Sequence, residues 1–282
     1  MHSCNDTSTN SYRLALIGDP VAHSLSPRMH DAALRALGLA GEYRALAVAP
    51  HQLEAALCRL IASGYSGFNV TLPHKQAVVP LMHELSAAAR SIGAVNTVVV
   101  DNGRLSGHNT DALGFMRGLT QAGFQSAGKH ALVLGAGGAA RAVVFALTQA
   151  GARVSIWNRT GERAERLARD FHAQRVQPDE PLRLHEYDLL VNATSIGMSP
   201  QNEQSPTSFD EHASTPACVY DLVYSPRETK LLREARARGA QTIGGIEMLL
   251  QQGAEAFRLW TGRDAPLDAM REAIGDDSCC AS

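Results

Sequence analysis

Residues 131–140 read Ala131-Leu132-Val133-Leu134-Gly135-Ala136-Gly137-Gly138-Ala139-Ala140, an apolar run that opens into glycines and closes on small residues. The last six satisfy G-x-G-x-x-A, a pattern that acquires meaning because it follows an expected strand and begins an expected helix. Gly135 permits the sharp turn, Gly137 lets backbone approach a pyrophosphate, and Ala140 is small enough for close helix-strand packing. Backbone N–H groups at the helix start attract phosphate oxygens. The plain alternative is an ordinary strand-to-helix turn.

The next expected strand, Arg153 to Trp157, ends in Asn158-Arg159-Thr160. An acidic residue at this place, about 20 positions on, would hold a ribose 2′-hydroxyl. A guanidinium instead suits a doubly charged 2′-phosphate through paired, charge-assisted hydrogen bonds. NADP(H) is therefore favoured over NAD(H), and Arg163 is placed to join the clamp. Arg166 and Arg169 stand four residues after Glu162 and Glu165, which fits a solvated, ion-paired helix face.

Outward from this unit, strand and helix patterns alternate along the chain. Strands are expected at Tyr12–Ile17, Tyr43–Val48, Gly67–Val70, Val95–Val100, Tyr187–Asn192, Ala217–Leu222 and Ala240–Ile243. Helices are expected from Pro27 to about Leu37, His51 to Ala62, Asp111 to Ala122, the glycine turn to Ala150 and Gly245 to Gly275, with helical segments also between Pro73 and Ser91. Pro200 to Thr215 reads as a long polar loop. Such alternation implies βαβ units and a mostly parallel sheet.

The 282 residues suffice for two domains, and 45% apolar with 19% charged residues is ordinary for a globular chain. A net charge of −2 argues against a general nucleic-acid or anionic-membrane binder, which needs a concentrated basic surface. Cys4, Cys58, Cys218, Cys279 and Cys280 form no C-x-x-C pair, which fits a reducing compartment. The polar start lacks a signal-peptide pattern, so a cytoplasmic protein is expected. The closing Cys279-Cys280-Ala281-Ser282 matches a prenylation pattern only formally and reads as a frayed tail.

Two polar clusters fall at expected strand ends, where open α/β sheets place ligand sites. Ser24-Leu25-Ser26-Pro27 sets two hydroxyls before a helix start, and Asn69-Val70-Thr71-Leu72-Pro73-His74-Lys75 sets an amide, a hydroxyl and an ammonium after a short strand. Each has a bland account as well: Ser26 as a helix cap, Lys75 as a solvated lysine. The 11 histidines show no H-x-x-x-H spacing, and His23, His74 and His108 read as surface or cleft-lining residues. No metal is expected.

These clusters, Gly93-Ala94-Val95-Asn96-Thr97, Gly107-x-Asn109-Thr110-Asp111, the glycine turn, Asn158-Arg159-Thr160, Asn192-Ala193-Thr194 and Gly245-x-x-Met248-Leu249-x-x-Gln252 occur in the order found in the shikimate dehydrogenase family. The chain resembles that family over nearly its whole length. The resemblance implies an N-terminal, mostly parallel α/β substrate domain completed by C-terminal helices (11–112 and 247–277), plus a Rossmann-type NADP-binding domain (113–246). A cleft holding shikimate against the nicotinamide is expected to follow, in a monomer or homodimer. By the same resemblance Lys75 and Asp111 form the catalytic pair, and Ser24, Ser26 and Tyr224 bind a carboxylate. Asn69, Thr71, Asn96 and Gln252 complete the substrate set. Gly135, Ala136, Gly137, Gly138, Ala139, Asn158, Arg159, Thr160, Arg163, Thr194, Leu222 and Gly245 are expected to hold NADP(H).

The chemistry agrees with these roles. Reducing a ketone creates an alkoxide, so a proton donor must sit within about 3 Å of that oxygen, and an ammonium also stabilises the growing charge. Asp111 would orient that ammonium, although an acidic residue also stabilises a helix N-terminus. Two alternatives stand beside this reading. A quinate or dual quinate/shikimate dehydrogenase would tend to carry an acidic residue in place of Arg159; a non-catalytic NADP-binding sensor would be expected to lose Lys75 or Asp111.

Overall fold

The computed structural model describes residues 11–177, 182–209 and 214–275. Cys4, Cys279, Cys280, the polar start, residues 276 and 277 of the expected substrate domain and part of the expected loop from Pro200 to Thr215 lie outside them. In chain order the elements begin β1 (Tyr12–Gly18), α1 (Ser26–Ala36), β2 (Gly41–Ala47), α2 (Leu53–Ala62), β3 (Gly67–Val70) and β4 (Glu84–Leu85). Next come α3 (Ala87–Ile92), β5 (Thr97–Asp101), β6 (Arg104–His108), α4 (Asp111–Gln121), β7 (His130–Leu134), α5 (Gly138–Gln149) and β8 (Arg153–Trp157). The remainder is α6 (Gly161–Phe171), β9 (Gln174–Arg175), β10 (Leu189–Asn192), β11 (Cys218–Asp221), α7 (Lys230–Ala237), β12 (Gln241–Ile243), α8 (Gly245–Thr261) and α9 (Leu267–Ala273).

The chain divides into two compact units: Met1–Leu85 with Asn96–His108 and Ala254–Ser282, and Ser86–Val95 with Asn109–Gly253. The first unit carries a sheet in the order β2-β1-β3-β5-β6-β4. Its β1–β2, β1–β3 and β4–β6 pairs are parallel, while β5 runs antiparallel to both β3 and β6. Leu14, Ile17, Phe68 and Val98 are fully buried in it. On α1, Met29, His30, Ala33 and Leu34 recur at helical spacing and are buried, and α9 packs against α1.

The second unit holds an all-parallel sheet in the order β12-β11-β10-β7-β8-β9. Its winding starts at β7, runs outward through β8 to β9, and then resumes at β10 on the other side, so its direction reverses between β7 and β10 as in doubly wound nucleotide-binding sheets. Continuous apolar strands follow from burial on both faces: Ala131, Leu132, Val133 and Leu134 are at most 1% exposed. Each large apolar side chain of this kind contributes about 1.5–3 kcal/mol by leaving water. Val143 and Leu147 of α5 share that core, and half-buried Ala150 closes the helix.

Two sequence expectations are corrected, and one strand is added. The segment 73–91 is mostly turns, with a 3-10 turn at Val79–Leu81 and α3 only at its end. The expected helix from Gly245 to Gly275 is two helices, interrupted at Gly262 with φ +68° and held apart through Pro266. The strand β6 follows a tight turn in which Asn102 and Gly103 have φ of 48° and 78°; the Asn-Gly pair is the signal for it. Among the described residues no helix is long and apolar enough to cross a membrane.

Candidate active site

Within the first unit, Ile17 of β1 lies beside Val70 of β3, so both parallel strands leave the sheet at one edge. Thr71 N donates to Ile17 O at 2.9 Å and Asp19 N donates to Leu72 O at 3.0 Å, tying the two exits together. A Cβ on Gly18 would stand 2.3 Å from Thr71 Cγ2, so only glycine allows this approach. The exit of β2 joins them, since Val48 N donates to Gly18 O at 2.9 Å.

Those exits carry the polar residues. The Ser24 hydroxyl accepts from Ser26 N at 3.2 Å; Ser26 is buried and makes no side-chain cap on α1, so its capping role is absent. His74 is a correction: it is buried, not a surface or cleft-lining residue, with Nε2 2.7 Å from Val48 O. That bond pins the turn after β3 and with it the half-buried Lys75, the next residue. His23 is exposed and His108 half-buried.

Asn96 precedes β5 at the same edge, because Val70 N donates to Asn96 O at 2.8 Å. Asn69 is buried behind it, with both sides of its amide engaged. Its Nδ2 donates to Asn96 O and to Thr97 Oγ1, each at 3.0 Å, and its Oδ1 accepts from Tyr43 Oη at 2.7 Å. Thr97 Oγ1 in turn donates to Asn96 Oδ1 at 3.2 Å. Ser24, Ser26, Thr71, Lys75 and Asn96 are thus gathered on one sheet edge, with Asn69 and Tyr43 holding them from behind.

In the second unit the glycine turn stands where the sheet reverses. Gly135 has φ +116°, which L side chains rarely adopt, and its N donates to Trp157 O at 2.8 Å. A Cβ on Gly137 would meet nothing within 4 Å, so the turn opens onto free space in front of the α5 N-terminus, which has no side-chain cap. The fit to a pyrophosphate follows: open N–H groups, a helix dipole and room for the anion.

Asn158, Arg159 and Thr160 leave β8 beside that turn, with Asn158 Nδ2 donating to Thr160 O at 2.9 Å. Arg159 and Arg163 are both exposed, and neither has an ion-pair partner among the described residues. Two unclaimed guanidiniums suit a phosphate monoester. Of the expected helix pairs, Arg169 meets Glu165 at 3.6 Å; Arg166 and Glu162 form none among the described residues.

Thr194 follows β10 against the turn: a Cβ on Gly135 would lie 3.2 Å from Thr194 Cγ2. Leu222 and Tyr224 follow β11, and Gly245 N donates to Val223 O at 3.3 Å. A Cβ on Gly245 would fall 2.3 Å from Leu222 O, so glycine is required there. Asp111 is buried as the first residue of α4. Three residues on, a Cβ on Gly114 would lie 2.8 Å from Gln252 Cβ, so α4 and α8 approach closely there.

Sequence reasoning missed Tyr43 and Asp221, and gave Asn192 no role beyond its place in the Asn192-Ala193-Thr194 motif. Asp221 is fully buried, and burial pushes its carboxyl up to about 6 against the opposing hydrogen bonds from Thr229, Val223 N and Asn192. Its sole cue is a polar residue at the end of an apolar strand.

Comparison with known proteins agrees with this geometry. Residues 16–98 match a family model for the shikimate dehydrogenase substrate binding domain, 119–230 one for shikimate / quinate 5-dehydrogenase, and 245–274 one for the shikimate 5′-dehydrogenase C-terminal domain. A shikimate dehydrogenase (NADP(+)) of Moorella thermoacetica is 48% identical over 279 residues, covering 94% of each chain. The crystal structure of shikimate 5-dehydrogenase from Thermus thermophilus in complex with NADP(H) and shikimate is 45% identical with TM-score 0.86, covering 93% of this chain and 98% of that one. A quinate dehydrogenase from Corynebacterium glutamicum in complex with NAD is 35% identical with TM-score 0.84, covering 94% of this chain and 98% of that one. With identity this high across nearly all of both chains, and with an N-terminal α/β unit followed by a doubly wound nucleotide-binding unit, the chain belongs to the shikimate dehydrogenase family.

Proposed function

We propose that the protein catalyses the reversible NADPH-dependent reduction of 3-dehydroshikimate to shikimate. The observation that carries this reading is the gathering of Ser24, Ser26, Thr71, Lys75 and Asn96 at one edge of the first sheet. Two hydroxyls before a helix start suit a carboxylate, and Thr71 and Asn96 suit ring hydroxyls. Tyr224 and Gln252 belong to the same substrate set. Lys75 donates a proton to the ketone oxygen as the carbonyl carbon receives hydride, and its charge stabilises the alkoxide as it develops. Asp111 orients the ammonium and accepts from a substrate hydroxyl.

Bound NADPH supplies the hydride. Gly135 to Ala139 take the pyrophosphate, Asn158, Arg159, Thr160 and Arg163 the 2′-phosphorylated ribose, and Thr194, Leu222 and Gly245 the nicotinamide end. The family's solved relatives support this assignment, because one carries NADP(H) with shikimate. The substrate unit is read as 11–112 with 247–277 and the nucleotide unit as 113–246. A cytoplasmic site of action, in a monomer or homodimer, completes the reading; Cys58 and Cys218 are free thiols.

The test is a four-way steady-state assay with shikimate and quinate, each with NADP+ and NAD+. Shikimate with NADP+ should give the highest kcat/KM. Preference for quinate with NAD+ would move the chain to the quinate-oxidising branch, and NADPH binding without any turnover would make it a sensor.

A further inference from the structure

Asp221 is a buried carboxylate that the proposed chemistry does not use. It is 0% exposed, and its partners are all uncharged: Asn192 Nδ2 donates to Oδ1 at 2.9 Å, Val223 N to Oδ1 at 3.0 Å, and Thr229 Oγ1 to Oδ2 at 2.7 Å. Taking a carboxylate out of water with no cation beside it among the described residues opposes folding, so what the group organises matters. Each of its three donors sits at the exit of a sheet strand or the start of a helix.

Asn192, itself 0% exposed, relays the connection to β10. Its Oδ1 accepts from Thr194 N at 3.0 Å and from Thr194 Oγ1 at 2.7 Å, while Nδ2 also donates to Ile196 O at 3.2 Å. Thr194 Oγ1 then accepts from Ile196 N at 3.1 Å. Val223 carries the connection to β11, between Leu222 and Tyr224, and its carbonyl receives Gly245 N. Thr229 caps α7 by accepting from Leu232 N at 3.3 Å.

We propose that Asp221 is a positioning residue: through Asn192 and Val223 it sets the loops after β10 and β11, and so the placement of Thr194, Leu222, Tyr224 and Gly245 around the nicotinamide and the substrate carboxylate. This rests on the functional reading above. A carboxylate suits the task because one oxygen accepts two bonds in different directions while the other accepts the Thr229 hydroxyl. An alanine removes the shorter of the two bonds that Asn192 Nδ2 donates and leaves the side chain that aligns Thr194 held only through Ile196 O and Thr194 itself.

The test compares wild type with Asp221→Ala, Asp221→Asn and Asn192→Asp, each as the full chain. NADPH fluorescence titration counts binding sites and gives Kd, and turnover of shikimate with NADP+ is expressed per titrated site. Asp221→Ala should lower kcat per site at least tenfold and raise the KM for shikimate, with the preference for NADP+ over NAD+ unchanged. Asn192→Asp sets two acceptors face to face and should do the same. Asp221→Asn keeps an oxygen for both Oδ1 bonds, and Thr229 can accept in place of donating, so it should recover most of the loss.

Wild-type kcat per site and KM within twofold in Asp221→Ala would overturn the proposal. So would an effect confined to melting temperature and the number of sites, or loss of cooperative unfolding in both disrupting variants, since either outcome marks a structural role alone. Absence of shikimate turnover by wild type would instead defeat the functional reading. In that case the hub is still read by NADPH titration, where Asp221→Ala must raise Kd and Asp221→Asn restore it.

Discussion

Tyr43 Oη donates a 2.7 Å hydrogen bond to Asn69 Oδ1, so a tyrosine on β2 orients an amide on β3 whose nitrogen is already spent on Asn96 and Thr97. The expectation that Asn69 binds substrate meets an amide committed to protein partners on both sides. On the proposed function, its effect on substrate runs through Asn96, whose carbonyl it holds.

Tyr43→Phe removes that donor and leaves the Asn69 oxygen buried without it. A loss of about 1–3 kcal/mol in stability is expected. Because Asn96 is held less firmly, the KM for shikimate should rise roughly three- to tenfold, since about 1.4 kcal/mol of weakened binding is tenfold, with the KM for NADP+ unchanged. Equal changes in both KM values would show that the bond supports the fold alone.

His30 lies stacked on Tyr43 with ring centroids 4.5 Å apart, with the Phe257 centroid at 6.3 Å and that of Trp260, in an edge-type contact, at 5.3 Å. It is fully buried, both ring nitrogens are unpartnered among the described residues, and burial lowers its pKa from 6.5 to about 3. The unfolded chain takes up this proton as pH falls below 6.5, whereas the folded chain holds none until about 3. The stability contributed by neutral His30 is therefore complete above the first value and is lost as pH falls toward the second. His30→Phe keeps an aromatic ring in the stack and deletes the titration. The difference in melting temperature, variant minus wild type, should grow steadily from pH 7 to pH 4. A constant difference would mean that His30 does not titrate separately in the two states.

Lys75→Ala should lower kcat by about two to four powers of ten, the range for lost acid-base catalysis, with a smaller change in KM for shikimate. Pre-steady-state measurement of NADPH formation separates this chemical step from product release. An unchanged kcat would remove the lysine from the reaction.

Arg159 is exposed and has no ion-pair partner among the described residues, so its replacement tests a ligand contact without breaking a structural one. Arg159→Asp should weaken NADPH far more than NADH, because the new carboxylate repels the 2′-phosphate that the guanidinium would clasp. Titration of both nucleotides checks it, and equal losses would show that Arg159 does not reach the phosphate.

The second unit is legible in the sequence because its signals are local. An apolar strand, Gly135 and Gly137, the small Ala140 and the Asn158-Arg159-Thr160 stretch each declare backbone geometry or charge within a few residues, and the structure supplies the strand order that makes them neighbours. Gly262 marks a break that the helical periodicity of residues 245–275 conceals, since the period continues in α9 after the interruption. Asn102-Gly103 is local too, yet it becomes meaningful only once β6 pairs with β5.

By itself, then, the sequence determined the alternating strands and helices, the glycine-rich turn at a helix start, the guanidinium that favours NADP(H) over NAD(H) and the residue types available for proton transfer. Tertiary structure alone decided that Asn69 is consumed by Tyr43 and Asn96, that His74 is buried as an anchor for the turn bearing Lys75, and that Asp221 joins the loops after β10 and β11. Turn and strand propensities act between neighbours along the chain, whereas the partner of a buried polar group is set by folding that brings together residues tens of positions apart.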